Sequence, residues 1–164
     1  MNFQFYTEKL KNSPEYKNFI EKNPEAFLCS VFFILDKQGT DNKQHIDYFI
    51  PSDNKMFSFQ LEDGVKLIPL EQINNKIPEK ISDDIDFNFE YIEKLILGEM
   101  FEKKINNQIQ KIIGSLQRLN DKDFLIGSVF ISEMGIISLK IDLSEMKIIE
   151  FEKRSFFDFI KRVK

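Results

Sequence analysis

Cysteine and histidine are almost missing from this sequence: Cys29 and His45 are the single examples of each, and tryptophan is absent. One cysteine excludes an intramolecular disulfide framework and a multi-cysteine zinc site. One histidine rules out a His-rich metal site and leaves no spare for a Ser-His-Asp set. Basic charge is also short. With 23 Lys and Arg against 27 Asp and Glu, the net charge is −4 and the isoelectric point is near 5.2. Phosphate-backbone binding normally needs the opposite balance, so no nucleic-acid partner is expected. No segment approaches the roughly 20 apolar residues that span a bilayer, and Met1–Lys9 lacks the apolar core of a signal peptide. The expectation is a soluble cytoplasmic protein without a membrane span. No G-x-G-x-x-G, Walker A or G-x-S-x-G pattern occurs, so phosphate-cradling loops and nucleophile elbows have no sequence support.

What is present is a core. The 164 residues are 42% hydrophobic and include 18 Phe, enough for one ordinary domain or two very small ones. Ser13-Pro14-Glu15 marks a helix start, because Ser13 can accept from an orphan N–H and Pro14 suits the first position, where no donor is needed. Tyr16, Phe19 and Ile20 form its apolar stripe, and Asn23-Pro24 ends it near Lys22. Phe27 to Leu35 is a short, nearly unbroken apolar run that reads as a central strand. Ile46–Ile50, Met56–Leu61 and Val65–Leu70 read as three more, separated by Pro51-Ser52-Asp53-Asn54 and Asp63-Gly64.

Residues 71–88 form a connector containing Pro78. Beyond it, Asn88 or Asp86 can cap a second helix, with Phe89, Ile92, Leu95, Ile96 and Met100 at helical spacing. Residues 109–119 are ambiguous. Ile109, Ile112, Ile113 and Leu116 fit a helix, whereas Gly114 and the following Asn120-Asp121-Lys122-Asp123 turn fit a strand, which is the reading taken. Phe124–Ser132, Ile136–Leu143 and Lys147–Lys153 complete the set. The fold class is therefore α+β: antiparallel sheets covered by helices, read as tandem αββββ repeats over 1–70 and 89–164 around the 71–88 connector. One continuous sheet without duplication is the rival reading.

Five segments carry a family resemblance: Ser13-Pro14-Glu15-Tyr16-Lys17-Asn18-Phe19, Ser30-Val31-Phe32, Ile50-Pro51-Ser52-Asp53-Asn54-Lys55, Ser115-Leu116-Gln117, and Ile141-Asp142-Leu143 with Lys147-Ile148-Ile149. Together they resemble an uncharacterised archaeal family with a PepSY-like, cystatin-like organisation. In the PepSY hairpin Val-Asp-Ala-x-x-Gly-x-Val, the acid corresponds to Asp142, while Ser144-Glu145-Met146 supplies no turn glycine. The resemblance implies a helix wrapped by a four-stranded sheet, twice over, and a peptidase-associated or inhibitory binding role. It implies no catalytic residue.

Individual residues lead the same way. Cys29 lies in an apolar run, where a thiol is inert. His45 begins a strand beside Asp47 and reads as a surface histidine. Asp84, Asp86 and Asn88 have the spacing of the first three ligands of a calcium loop. Phe89 and Leu95 then replace the required Gly and bidentate Glu, so these acids read as helix capping. At the C-terminus, Ser155 can cap a short helix carrying Phe156, Phe159 and Ile160. Packing against the sheet is the default for it, with docking on a partner or an anionic surface as rivals.

The sequence thus predicts a non-catalytic protein- or peptide-binding module, with a sheet edge or the concave face between repeats as the surface and a homodimer through an edge as one assembly. It assigns no catalytic, cofactor-binding or metal residue and no cofactor. The alternative is a small-molecule-binding protein or small enzyme using a cystatin-like cavity.

Overall fold

The computed structural model describes residues 2–72 and 75–162. Helix formation follows the local signals. α1 (Phe3–Lys11) is capped by Asn2, whose side chain accepts from Phe5 N, and α2 (Pro14–Lys22) by Ser13, whose hydroxyl accepts from Tyr16 N. α2 ends at Asn23, as expected for a residue before proline. The strands β1 (Phe27–Asp36), β2 (Lys43–Ile50), β3 (Lys55–Gln60) and β4 (Lys66–Leu70) follow. The connector leads to α3 (Phe89–Glu102), then to β5 (Ile109–Leu119), β6 (Lys122–Ile131), β7 (Gly135–Asp142), β8 (Lys147–Ser155) and the short α4 (Phe156–Arg162).

All eight strands belong to one antiparallel sheet in the order β4-β3-β2-β1-β5-β6-β7-β8. The two meanders thus meet at β1 and β5, where Phe33 stands opposite Gly114. The α+β class is as expected, and 109–119 is a strand. Sequence reading missed α1, because Phe3, Tyr6 and Leu10 give only a short stripe and were not recognised as a helix face. Strand ends differ by one to three residues; β2, for instance, begins at Lys43 because Lys43 and Gln44 still pair with Ile34 and Phe33.

Alternate strand residues bury one face of the sheet against α1, α2 and α3. Phe19 of α2 packs edge-on against Phe57 and Phe59 at 5.7 and 5.2 Å between ring centres, and Phe89 of α3 meets Phe33 at 4.9 Å. Phe3, Phe33, Phe59, Ile92, Ile96, Leu116, Leu125 and Ile137 are in the same buried cluster. Each fully buried side chain of this size stabilises the fold by about 2 kcal/mol. The tight turns use backbone geometry in place of glycine. Asn120-Asp121 takes positive φ at both residues of the β5–β6 link, the conformation that matches strand twist in a two-residue hairpin, and Glu133-Met134 does so within the three-residue link between Ile131 and Gly135.

One expectation is corrected for the described side chains of α4: Phe156, Phe157 and Ile160 are 43%, 57% and 47% exposed and do not close the core, while the Phe159 side chain lies outside the described residues. The helix starts at the end of an edge strand, and Phe156 N reaches only Met134 O in the neighbouring turn.

Candidate functional site

Because the side chains of a strand alternate between faces, the helices leave the opposite face of the sheet to other uses. Strand register places residues of several strands in rows across it. One row runs through His45, Phe32, Ser115, Ile126, Lys140 and Glu150 on β2, β1, β5, β6, β7 and β8. A second runs through Ser58, Asp47, Ser30, Gln117, Phe124 and Asp142. Two shorter rows carry Ile34, Ile113, Ser128 and Ser138, and Lys111, Phe130, Ile136 and Arg154. Phe32, Ile113, Ile126, Phe130 and Ile136 are neither buried nor fully exposed. The face is thus a lattice of half-covered aromatic and branched side chains set among hydroxyl, amide and charged groups.

Neighbouring rows are tied together. Gln117 Nε2 donates to Ser115 Oγ at 3.1 Å, and the Ser30 and Ser115 hydroxyls lie 3.4 Å apart. Lys140 Nζ stands 4.3 Å above the Phe124 ring, a cation–π contact that holds the lysine upright. His45 Nε2 lies 2.6 Å from Glu62 Oε1, and its ring faces Phe32 at 5.5 Å. Three concavities open along this face. One of about 740 Å³ lies over Ile126, Ser128, Ser138 and Glu150; one of about 510 Å³ lies beside Lys111, Ile113 and Phe130; and one of about 370 Å³ lies between Ile77–Glu79 and Ser30, Met56 and Gln117.

Asp47 is the most unusual member. It is only 8% exposed, and its Oδ1 has no hydrogen-bond partner among the described residues. Burial raises its carboxyl above the usual carboxylate range, while the Ser58 hydroxyl, the His45 imidazole and the Ser30 hydroxyl pull it back. Cys29 donates to the Asp47 carbonyl at 3.4 Å. Burial, reinforced by the Asp47 charge, pushes the Cys29 thiol up to about 12, so it behaves as core. At the other end of the row, Asp142 Oδ1 accepts from Ser144 N, Ser144 Oγ and Glu145 N. The Ser144 hydroxyl leads in holding its carboxyl below the usual value. These bonds organise the β7–β8 turn, where Met146 takes positive φ in a turn without glycine.

The acids before α3 are distributed among local partners. Asp84 accepts from Ser82 Oγ, Asp86 from Gln4 N, and Asn88 from Glu90 N and Tyr91 N. No group of three His, Cys, Asp or Glu side chains among the described residues is placed to hold a metal ion. Among those residues, no helix is long and apolar enough to cross a membrane.

Sequence reading weighed His45, Cys29 and the acids one by one and did not see the lattice. Its signal was available in the polar residues Ser30, Asp47, Ser58, Ser115 and Gln117, each interrupting an apolar strand.

The chain is thus an α+β protein built on a single antiparallel sheet with one face held by helices and the other free of helices, though buried at Asp47, Ser58, Phe124 and Asp142 and bordered by connector residues 76–79. No family model matches it, and no curated protein does. A solved chain from Clostridium difficile 630, described as a "putative lipoprotein", is similar in fold, with a TM-score of 0.53 at 16% sequence identity over 85% of this chain and 90% of that one.

Proposed function

We propose that this protein is a non-catalytic module that binds another protein through the open face of its sheet. The observation carrying this reading is the lattice itself: aromatic and branched side chains held half-covered among hydrogen-bonding groups, on a face that α1–α3 do not pack against. Fixed side chains of this kind lose little entropy on docking, and a mixed apolar and polar surface is typical of protein interfaces.

The face is favoured over the sheet edges. β4 is five residues long and contains Pro69, which cannot donate to an added strand. In β8, Ile149 has no partner across the β7–β8 ladder, which marks a bulge, and Glu150, Glu152, Lys153 and Arg154 line the strand. Proline, bulges and charges are the usual means of blunting edges against strand addition. The resemblance to PepSY-like and cystatin-like modules, read as tandem αββββ units meeting at β1 and β5, agrees with an inhibitory or peptidase-associated role.

The test compares capture from the source cell by the wild-type chain with capture by a Phe130→Asp/Ile136→Asp chain whose unfolding curve is unchanged. A protein retained in near-stoichiometric amount by the first and lost by the second supports the reading. Equal capture by both overturns it.

A further inference from the structure

Another concavity lies on the other side of the sheet and is built differently. It has a volume of about 180 Å³ and sits where α1, the start of α2, the 80–85 segment and the ends of β1 and β2 converge. Its apolar wall includes Phe3, Leu10, Leu28 and Ile46, all buried. The polar lining comprises Thr7, Lys11, Tyr16, Tyr48, Lys80, Ser82 and Asp83, with the one carboxylate, Asp83, neutralised by Lys80. Whereas the grooves over the open face are shallow, this space is walled by both layers of the protein.

The hydrogen bonding leaves donors available there. Tyr48, itself buried, donates its hydroxyl proton to the Tyr16 oxygen at 3.3 Å, so the Tyr16 proton remains free for an acceptor outside the pair. Burial and the neighbouring Tyr16 hydroxyl raise Tyr48, keeping it a neutral donor. Lys80 is engaged with Asp83 at 2.9 Å. Lys11 is exposed and has no ion-pair partner among the described residues. An apolar wall on one side, a phenol donor within and an unpaired ammonium at the rim together suit an apolar body ending in an anionic acceptor. Size narrows the choice further, since an apolar cavity of about 150 Å³ accommodates benzene.

We infer that this cavity is a binding site for a small aromatic carboxylic acid, with the ring against Leu10, Leu28 and Ile46 and the carboxylate toward Tyr16 and Lys11. This site is independent of the docking face. It shares with that face only the connector, whose residues 76–79 border an open-face groove and whose residues 80–85 border the cavity. Ile81, wholly buried, anchors the segment between them by donating its N–H to Leu28 O at 2.9 Å.

The experiment is a two-dimensional ¹H–¹⁵N NMR titration of the full chain with benzoate and, separately, with toluene. Benzoate is expected to give saturable shifts centred on Thr7, Leu10, Leu28 and residues 80–85, with toluene binding more weakly. Lys11→Gln, at an exposed position, should weaken benzoate about threefold, the effect of one solvent-exposed charge, and leave toluene unchanged. Ala26→Leu places extra carbons at the cavity wall and should weaken both. The proposal is overturned if benzoate gives no saturable shifts there, if toluene binds as tightly as benzoate, or if Lys11→Gln leaves the benzoate affinity unchanged.

Discussion

Phe33 on β1 lies directly opposite Gly114 on β5, and its ring occupies the space that a side chain at Gly114 would fill. The same ring meets Phe89 of α3. The absence of a Cβ at one position therefore lets an aromatic ring cross the seam between the two meanders and reach the helix above. Gly127, opposite Gly114 on β6, extends the bare strip, because a Cβ there would strike the Ile113 carbonyl. Gly114→Ala should cost about 1–3 kcal/mol, the range for overpacking a core, read as a lower urea midpoint at unchanged m-value. Gly127→Ala should cost more, since backbone yields less readily than a ring. A neutral Gly114→Ala result would show that Phe33 can swing away freely.

Much of this architecture was readable because the relevant signals are local. Ser13-Pro14 and Asn88 begin helices through side-chain oxygens that accept from nearby backbone N–H groups, and the apolar runs of β1 and β6 are too short and too branched for anything but strands. Residues 109–119 were harder, since Ile109, Ile112, Ile113 and Leu116 satisfy both periodicities. Pairing with β1 and β6 decides in favour of the strand, and the β1 half of that information comes from residues about 80 positions away in the chain. The candidate face was legible only as separate polar interruptions, for the same reason. Ser30, Asp47 and Ser58 become one row only when the register of three strands is known.

Asp47 gives the protein a pH dependence of unusual sign. Its carboxyl is raised in the folded state by burial, so the native protein holds this proton more tightly than the unfolded chain does. Between the unfolded value, about 3.9, and the raised native value, the native state binds more protons. The contribution of this group to stability therefore falls as pH rises through that window and stays low above it. Asp47→Asn removes the dependence. Urea midpoints near pH 4 and pH 7 should show the variant gaining stability relative to wild type at the higher pH. An identical difference at both values would mean that Asp47 titrates alike in folded and unfolded chains.

Cys29 should be silent in the folded protein and reactive in the unfolded one. It is buried, with its thiol pushed up to about 12, so at pH 8 only about one part in ten thousand would be thiolate, the attacking species. Iodoacetamide labelling followed by intact-mass measurement should find the native chain unmodified over times that fully label it in concentrated urea. Fast native labelling would mean that the strand region around the Leu28–Ser30 irregularity opens more readily than its burial indicates.

The C-terminal helix should be dispensable for folding. Ser155 and Asp158 cap it reciprocally: Phe157 N donates to Ser155 Oγ at 3.3 Å, and Ser155 N to Asp158 Oδ2 at 3.0 Å. Seven residues are nonetheless well below the roughly 12–15 needed for a helix to persist alone in water, so capping alone leaves it weakly held. Phe156, Phe157 and Ile160 gain little from their position, since about half of each side chain remains in solvent. Ending the chain after Ser155 should therefore change the unfolding free energy by less than about 1 kcal/mol, within the range of surface changes. It should also improve solubility, because three exposed apolar side chains leave with the helix. Loss of cooperative unfolding in the shortened chain would instead make α4 part of the core it is seen to stand beside.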